Sequence, residues 1–230
     1  MIDRFDFYNN SLFVKDLNIC AVSDLHIGLE DESFSQGLIF PLKEKEILIE
    51  RLEKIIDRFK PKKFVLNGDI FHSFEKIEWK VKEKFLSILE LLEENVEDII
   101  FVRGSHDTML PYLAKKVFDK YDIGDITFVH GHMPFKNGKC LIIGHEHPTI
   151  EIEMVRLPCF LYGKNLNGTH IVVLPAFSPL CQGVLINNIE ESDFLSPILR
   201  KVDISNLQPI VEIEEDYIVF PRIYDLRRHL

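Results

Sequence analysis

Residues 17–23 (LNICAVS), 64–67 (FVLN) and 99–102 (IIFV) are short, largely apolar runs, each followed by polar sequence, and the stretches between them carry a different periodicity. Short apolar runs bounded by turn residues read as buried strands. Between the first two, Leu48, Leu52, Ile55 and Phe59 recur at helical spacing, in a helix expected to start at Pro41 and to stop at Pro61. Val81, Phe85, Ile88, Leu89 and Leu92 mark a second amphipathic helix. Strand, helix, strand, helix, strand in that order implies parallel neighbours joined by helical crossovers.

A shorter helix is predicted over 110–120 and a further strand over 126–129, and from there the pattern changes. The runs 141–143, 150–154, 159–162, 170–174, 184–186, 198–202 and 210–213 are strand-like and broken by Pro, Gly and Asn, with little helix between them. An α/β half followed by a strand-rich half predicts an α+β sandwich of four layers, αββα: two mixed sheets face to face with helices outside. At 230 residues the chain is expected to form one domain.

Composition removes several classes of function. With 46% apolar and 28% charged residues the chain is neither disordered nor low in complexity. Its 27 basic against 37 acidic residues, a formal charge of -10, oppose broad attraction to nucleic acid or an anionic membrane. Residues 1–10 (MIDRFDFYNN) lack the apolar core of a signal peptide, and runs such as 171–174 fall far short of the ~20 residues of a membrane helix. A cytoplasmic protein without membrane contact is expected. Cys20, Cys140, Cys159 and Cys181 fit no CxxC spacing and read as reduced packing residues.

Histidine carries the chemistry. Of nine histidines, seven lie between residues 26 and 147, each at or just beyond the end of a predicted strand. With their neighbours they form five segments: Asp24-Leu25-His26, Gly68-Asp69, Gly104-Ser105-His106-Asp107, His130-Gly131-His132 and Gly144-His145-Glu146-His147. Strand ends are where α/β folds gather functional side chains. In an extended segment, residues two apart point the same way, so Asp24 and His26, or His145 and His147, are placed to share an ion. Imidazole and carboxylate donors without thiolate suit Mn, Fe, Zn or Ni better than Ca or Mg, and a bridging carboxylate can join two such ions. One such segment alone is more often a turn or a loop cap; five in succession at strand exits point to a two-metal site.

These segments resemble, in order, the signature of the calcineurin-like metallophosphoesterases: D-x-H, G-D-x-x-D, G-N-H-D/E, H and G-H-x-H, matched here from Asp24 to His147. Ser23-Asp24-Leu25-His26-Ile27-Gly28, the Gly68-Asp69 segment ending in His72, Gly144-His145-Glu146-His147-Pro148, Leu174-Pro175-Ala176-Phe177 and Ser196-Pro197-Ile198-Leu199 resemble one subgroup in particular. It comprises small archaeal relatives of the nuclease subunit of double-strand-break repair, together with phosphoesterases associated with bacterial DNA ligase. The resemblance implies a metallo-dependent phosphatase-like fold and two divalent ions, manganese first, with iron, nickel or zinc as alternatives. Asp24, His26 and His147 would hold the first ion, His130 and His145 the second, and Asp69 both. The Asn that ordinarily also binds the second ion is Ser105 here, a shorter and weaker donor, which predicts a looser second ion. His72 stands where the family often has Asp; it orients a ligand, meets the leaving group or is purely structural, and His132 is open to the same readings, with the substrate pocket or a ligand-orienting role favoured. His170 and His229 have no motif company.

A water bridging two cations loses its proton near neutral pH, and the ions neutralise the phosphate oxygens during in-line attack. His106 occupies the family's general-acid position, and Asp107 is expected to hold its other ring nitrogen. The implied activity is hydrolysis of phosphodiesters of nucleotide or nucleic-acid type. The alternatives are a metal-dependent DNA nuclease working with a repair partner, and a non-catalytic scaffold on the same fold. The sequence is silent on oligomeric state.

Overall fold

A computed structural model describes residues 1–35, 43–74, 77–135, 138–165, 167–187, 189–214 and 216–227. The expected helix start at Pro41 and the isolated His229 lie outside the described residues.

The chain opens with a hairpin, β1 (Phe5–Tyr8) and β2 (Ser11–Val14). Asn9 and Asn10 form its turn with φ of 52° and 56°, the conformation of a two-residue hairpin loop that Asn tolerates. There follow β3 (Ile19–Val22), α1 (Leu29–Ser35), α2 (Glu44–Phe59), β4 (Lys63–Asn67), α3 (Trp79–Asn95), β5 (Asp98–Val102) and β6 (Val117–Phe118). These six strands form one sheet in sequence order, antiparallel from β1 to β3 and parallel from β3 to β6.

The second sheet is built from β7 (Tyr121–Ile123), β8 (Ile126–Phe128), β9 (Cys140–Ile143), β10 (Pro148–Ile152), β11 (Val155–Lys164), β12 (His170–Val173) and β13 (Val184–Leu185). Its order is β13-β10-β11-β12-β9-β8-β7, with β14 (Gln208–Ile213) on β11 and β15 (Asp216–Val219) on β14. A single-turn helix, α4 (Ile223–Leu226), follows.

Alternation along the strands sorts the core into layers. In β3, Cys20 and Val22 face α2 and α3, whereas Ile19 and Ala21 face the second sheet. Val81, Phe85, Ile88 and Leu92 of α3 are buried on that outer side, each contributing about 1.5–3 kcal/mol of apolar burial. Between the sheets, Val65, Ile100 and Val102 meet Phe128, Ile142, Phe160 and Val172. The far face of the second sheet is covered by α4, by Phe194 and by 3-10 turns at Leu199–Lys201 and Ile204–Asn206. The fold is thus the expected pair of mixed sheets flanked by helices, with a thin fourth layer.

Two local expectations are corrected. Over 110–120 there is only a 3-10 turn, Leu110–Tyr112, before β6. Pro111 supplies no N–H, and Lys116 turns left-handed at φ 54° to enter the strand. The strand expected over 198–202 is a 3-10 turn, because Ile198, Leu199 and Val202 bury themselves together against the sheet rather than alternating. Among the described residues no helix is long and apolar enough to cross a membrane.

One buried ionic cluster fixes the loop after β3. Glu44, wholly buried at the start of α2, accepts from the Gly28 amide at 3.1 Å and from Lys84 of α3 at 3.0 Å. Lys84 also reaches Glu30 and Asp31 of α1, so three helices converge on the loop that carries Asp24 and His26. Burial opposes the Lys84 charge, and the three carboxylates overcome it, raising its pKa.

Candidate metal centre

The segments leaving β3, β4, β5, β8 and β9 meet at one edge of the sandwich. Ser23 bridges to Ala176 just after β3, and its hydroxyl donates to the Asn67 carbonyl at the end of β4. That carbonyl also faces His130 Nδ1 at 3.0 Å, after β8. The convergence is not that of extended segments. Asp24, His26, Asp69, His145 and His147 adopt φ of 59°, 47°, 46°, 68° and 47°. Asp, Asn and His are enriched in this left-handed region among non-glycine residues, and holding them there costs on the order of 1–3 kcal/mol each.

These turns bring the side chains together. One ligand atom each of Asp24, His26 and Asp69 lie within 4.8 Å of one another, as do those of Asp69, His130 and His145. Asp69 is common to both groups. His147 Nε2 stands 3.1 Å from Asp24 Oδ1, and His130 Nε2 stands 3.2 Å from Asp69 Oδ2. Neither pair is aligned as a hydrogen bond. Asp24 Oδ1, both nitrogens of His26, His130 Nε2 and His147 Nε2 are therefore buried without a hydrogen-bond partner. Each such group costs about 1–3 kcal/mol if left so. Coordination satisfies all of them at once, and the donor set fits two divalent ions.

The candidate ligands differ in charge. Burial alone would raise the Asp24 carboxyl, but the His147, His130 and His26 rings hold it down to about 2. Asp69 is held well below the usual range, against its burial, chiefly by His130 and the His106 amide. Burial pushes His26 and His145 down to about 4, so both are neutral donors at pH 7. His130, despite its burial, is raised to about 9 by Asp24 and Asp69, and His147 is raised by Asp24.

A pH dependence follows. In chelated protein the protonated His130 stabilises the fold fully below about 6.5, and that stability is lost as pH rises through about 9. With divalent ion in excess the same interval strengthens ion binding, because the ion takes the neutral ring and releases its proton. Thermal unfolding is therefore expected to fall from pH 6.5 to 9 in chelator, with the gain on adding Mn2+ growing over that interval. A gain constant with pH would remove His130 from the ligand set.

His106 lies at the rim, with Nε2 3.9 Å from Asp69 Oδ2 and Nδ1 on the His72 carbonyl. The contact expected between Asp107 and the His106 ring is replaced by another. Buried Asp107 accepts from the Ile70 and Phe71 amides with one oxygen and from the Gly104 amide with the other, at 2.8–3.2 Å. Burial raises its carboxyl to about 6. Asp107 thus shapes the loops bearing Asp69 and His106, and the His72 backbone orients the His106 ring.

Ser105 donates to Asp69 Oδ1 and Oδ2 at 3.2 and 3.1 Å. Replacing it with Asn, whose amide oxygen is the stronger donor to a cation, is expected to tighten the second ion on the order of 10-fold. Unchanged stoichiometry and activity at limiting metal would refute this. His72 contacts Glu32 at 3.2 Å, packs near His26 and His106, and forms with them a third group of nitrogens within 4.8 Å. His132 faces a cavity of 410 Å³ beside His130, bordered by Arg103, Lys120, Met133 and Phe135. His170 is remote, paired with Tyr162.

Three contributors escaped the sequence reading. Asn67 ties the two sheets together, its side chain donating to the Val129 carbonyl at 3.2 Å. Glu146, wholly buried between the two histidines of its segment, accepts from the Leu195 and Ser196 amides. The third is Cys181, whose sulfur lies with His26 and His147 nitrogens inside a 4.8 Å group.

The sequence model of the calcineurin-like phosphoesterases matches residues 17–173, which include every one of the Asp and His residues converging here. The chain belongs to this family. Members hydrolyse phosphoester bonds with a dinuclear divalent centre, and the two groups sharing Asp69 are its candidate ligands in this chain. No curated protein matches the sequence. Among solved structures, the Pseudomonas putida nuclease MPE is similar at 17% identity, with 94% of each chain covered and a TM-score of 0.65, a likeness of fold. The Escherichia coli phosphoesterase Yfce also matches, at 17% identity over 70% of this chain and 80% of that one, with a TM-score of 0.40.

Proposed function

We propose that this phosphoesterase is a cytoplasmic phosphodiesterase acting on nucleotide or single-stranded nucleic-acid substrates. The observation that carries the reading is the cluster of buried, unpartnered His and Asp atoms around the shared Asp69, with His106 at its rim. Asp24, His26 and His147 would hold one ion, His130 and His145 the other, and Asp69 both. Manganese suits these nitrogen and oxygen donors. When bound, the ions supply Lewis-acid charge to the phosphate oxygens and activate the attacking water.

The chain's own residues do the rest. With Nδ1 on the His72 carbonyl, His106 turns Nε2 inward, where it is placed to protonate the departing oxygen. Phe74, 54% exposed, stacks on the His106 ring with centroids 3.7 Å apart. It shields that ring from water on one face and leaves an aromatic surface free for a base. The cavity at His132, with Arg103 and Lys120 at its border and Met133 and Phe135 as apolar walls, has the size of a small-ligand pocket. Formal charge -10 opposes tracking along duplex DNA without a partner protein, which is the role of a repair partner in the nuclease reading.

The test is a Mn2+-titrated panel of an aryl phosphodiester, an aryl phosphomonoester, a cyclic nucleotide and single-stranded DNA. Cleavage of the diesters with little of the monoester is expected. Preference for the monoester, or no turnover of any, would overturn the proposal.

A further inference from the structure

The loop after β12 runs back across the centre and is fastened at both ends to backbone that carries first-ion ligands. At its start the Phe177 amide donates to the Ser23 carbonyl at 2.8 Å and the Ser178 amide to the Asp24 carbonyl at 3.1 Å. At its end the Val184 amide donates to the His147 carbonyl at 2.9 Å. Gly183 is pressed so closely there that a Cβ would lie 2.5 Å from the His147 carbonyl and 2.1 Å from the Thr149 methyl. Between these fastenings sits Cys181, partly buried, whose sulfur shares a 4.8 Å group with one nitrogen each of His26 and His147. His26 is 5% exposed and neither of its ring nitrogens has a hydrogen-bond partner. The other cysteines, Cys20, Cys140 and Cys159, are buried within strands of the core.

We infer that Cys181 is a ligand of the first ion, adding one sulfur donor to Asp24, His26 and His147. This rests on the two-ion reading and refines it. A thiolate donor favours softer cations, so the first position is biased toward zinc, ferrous iron or cobalt, while the all-nitrogen-and-oxygen second position keeps manganese. On ligation a metal–sulfur bond forms, the S–H bond breaks and its proton leaves to solvent. No electron is transferred.

Cobalt(II) reports the donors directly. Metal-free protein titrated with Co2+ is expected to develop visible d–d bands together with a near-ultraviolet sulfur-to-cobalt charge-transfer band. In Cys181→Ser and Cys181→Asp the charge-transfer band is lost while the d–d bands remain. Zinc X-ray absorption on the unaltered protein should add a sulfur shell at about 2.3 Å to the shorter nitrogen and oxygen shell, independently of how the variants fold. The d–d bands without charge transfer, or a zinc spectrum without sulfur, would overturn the assignment and leave the two-ion reading standing. A charge-transfer band persisting in folded Cys181→Ser would also overturn it. Failure to take up cobalt at all would bring down the two-ion reading as well.

Discussion

Asp69→Asn is expected to strip both ions and all measurable hydrolysis from an otherwise folded protein. Asp69 is the one residue found in both groups of donors, and its oxygens collect the His106 amide at 2.9 Å, the Ser105 hydroxyl and the approach of His130 Nε2. An amide keeps one acceptor oxygen for the His106 amide but presents a neutral face to two cations. Contacts that only orient ligands control about 10- to 100-fold of metal affinity, so loss of a shared charged ligand should exceed that. His106→Ala supplies the contrast: its ring reaches the rim through Nε2 and belongs to neither of the two groups containing Asp69. Both ions should stay while the rate falls on the order of 10² to 10⁴, the usual cost of removing a general acid. Metal analysis after gel filtration, paired with an aryl phosphodiester assay, reads both variants. Wild-type turnover by His106→Ala would remove its assigned role, and two ions retained by Asp69→Asn would remove the shared ligand.

Gly144→Ala is expected to be among the most destabilising single methyl additions. The added carbon would stand 1.8 Å from Ser23 Oγ and 2.6 Å from Asp24 Oδ2. Neither neighbour is free to retreat: Ser23 donates to Asn67 at 2.8 Å, and Asp24 Oδ2 accepts from the His145 amide at 3.0 Å. Overpacking together with two disturbed buried hydrogen bonds should cost about 3 kcal/mol or more, or roughly 6–12 °C in Tm for a chain of this size. Ion binding at the first position should fall with it. A Tm within a degree or two of wild type would show that the two loops have slack that these distances deny.

The parts of the fold legible in sequence are those where one element carries its own periodicity. Buried strands β3 to β5 read as apolar runs because both of their faces are covered, by α2 and α3 on one side and the second sheet on the other, and α2 and α3 read as four-and-three spacing because each buries one face. The N-terminal hairpin is equally encoded, with Phe5 and Phe7 alternating inward and Asn9-Asn10 as its turn, but its strands are four residues each and interleaved with Asp6 and the asparagines, so no long apolar run marks them. The gathering of Asp24, His26, Asp69, His130, His145 and His147 was visible because the type of residue recurs at every strand exit. What sequence order misled was direction. Asp107 follows His106 directly, yet its carboxylate turns to the Ile70, Phe71 and Gly104 amides. Cys181 has no partner at any recognisable spacing, since only the return of the loop from Ala176 to Gly183 brings it near His26 and His147.

The donors come from strand ends in both sheets: Asp24, His26 and Asp69 follow β3 and β4, whereas His130, His145 and His147 follow β8 and β9. A cation held among them would therefore be a rivet through the sandwich as well as a reagent, since the layers could not slide without tearing ligands from it. At free ion 100 times its Kd, such a fastener adds about 2.7 kcal/mol to the folded state. Scarcity of metal would then loosen the whole molecule, and the chain's lifetime would track the same supply as its chemistry.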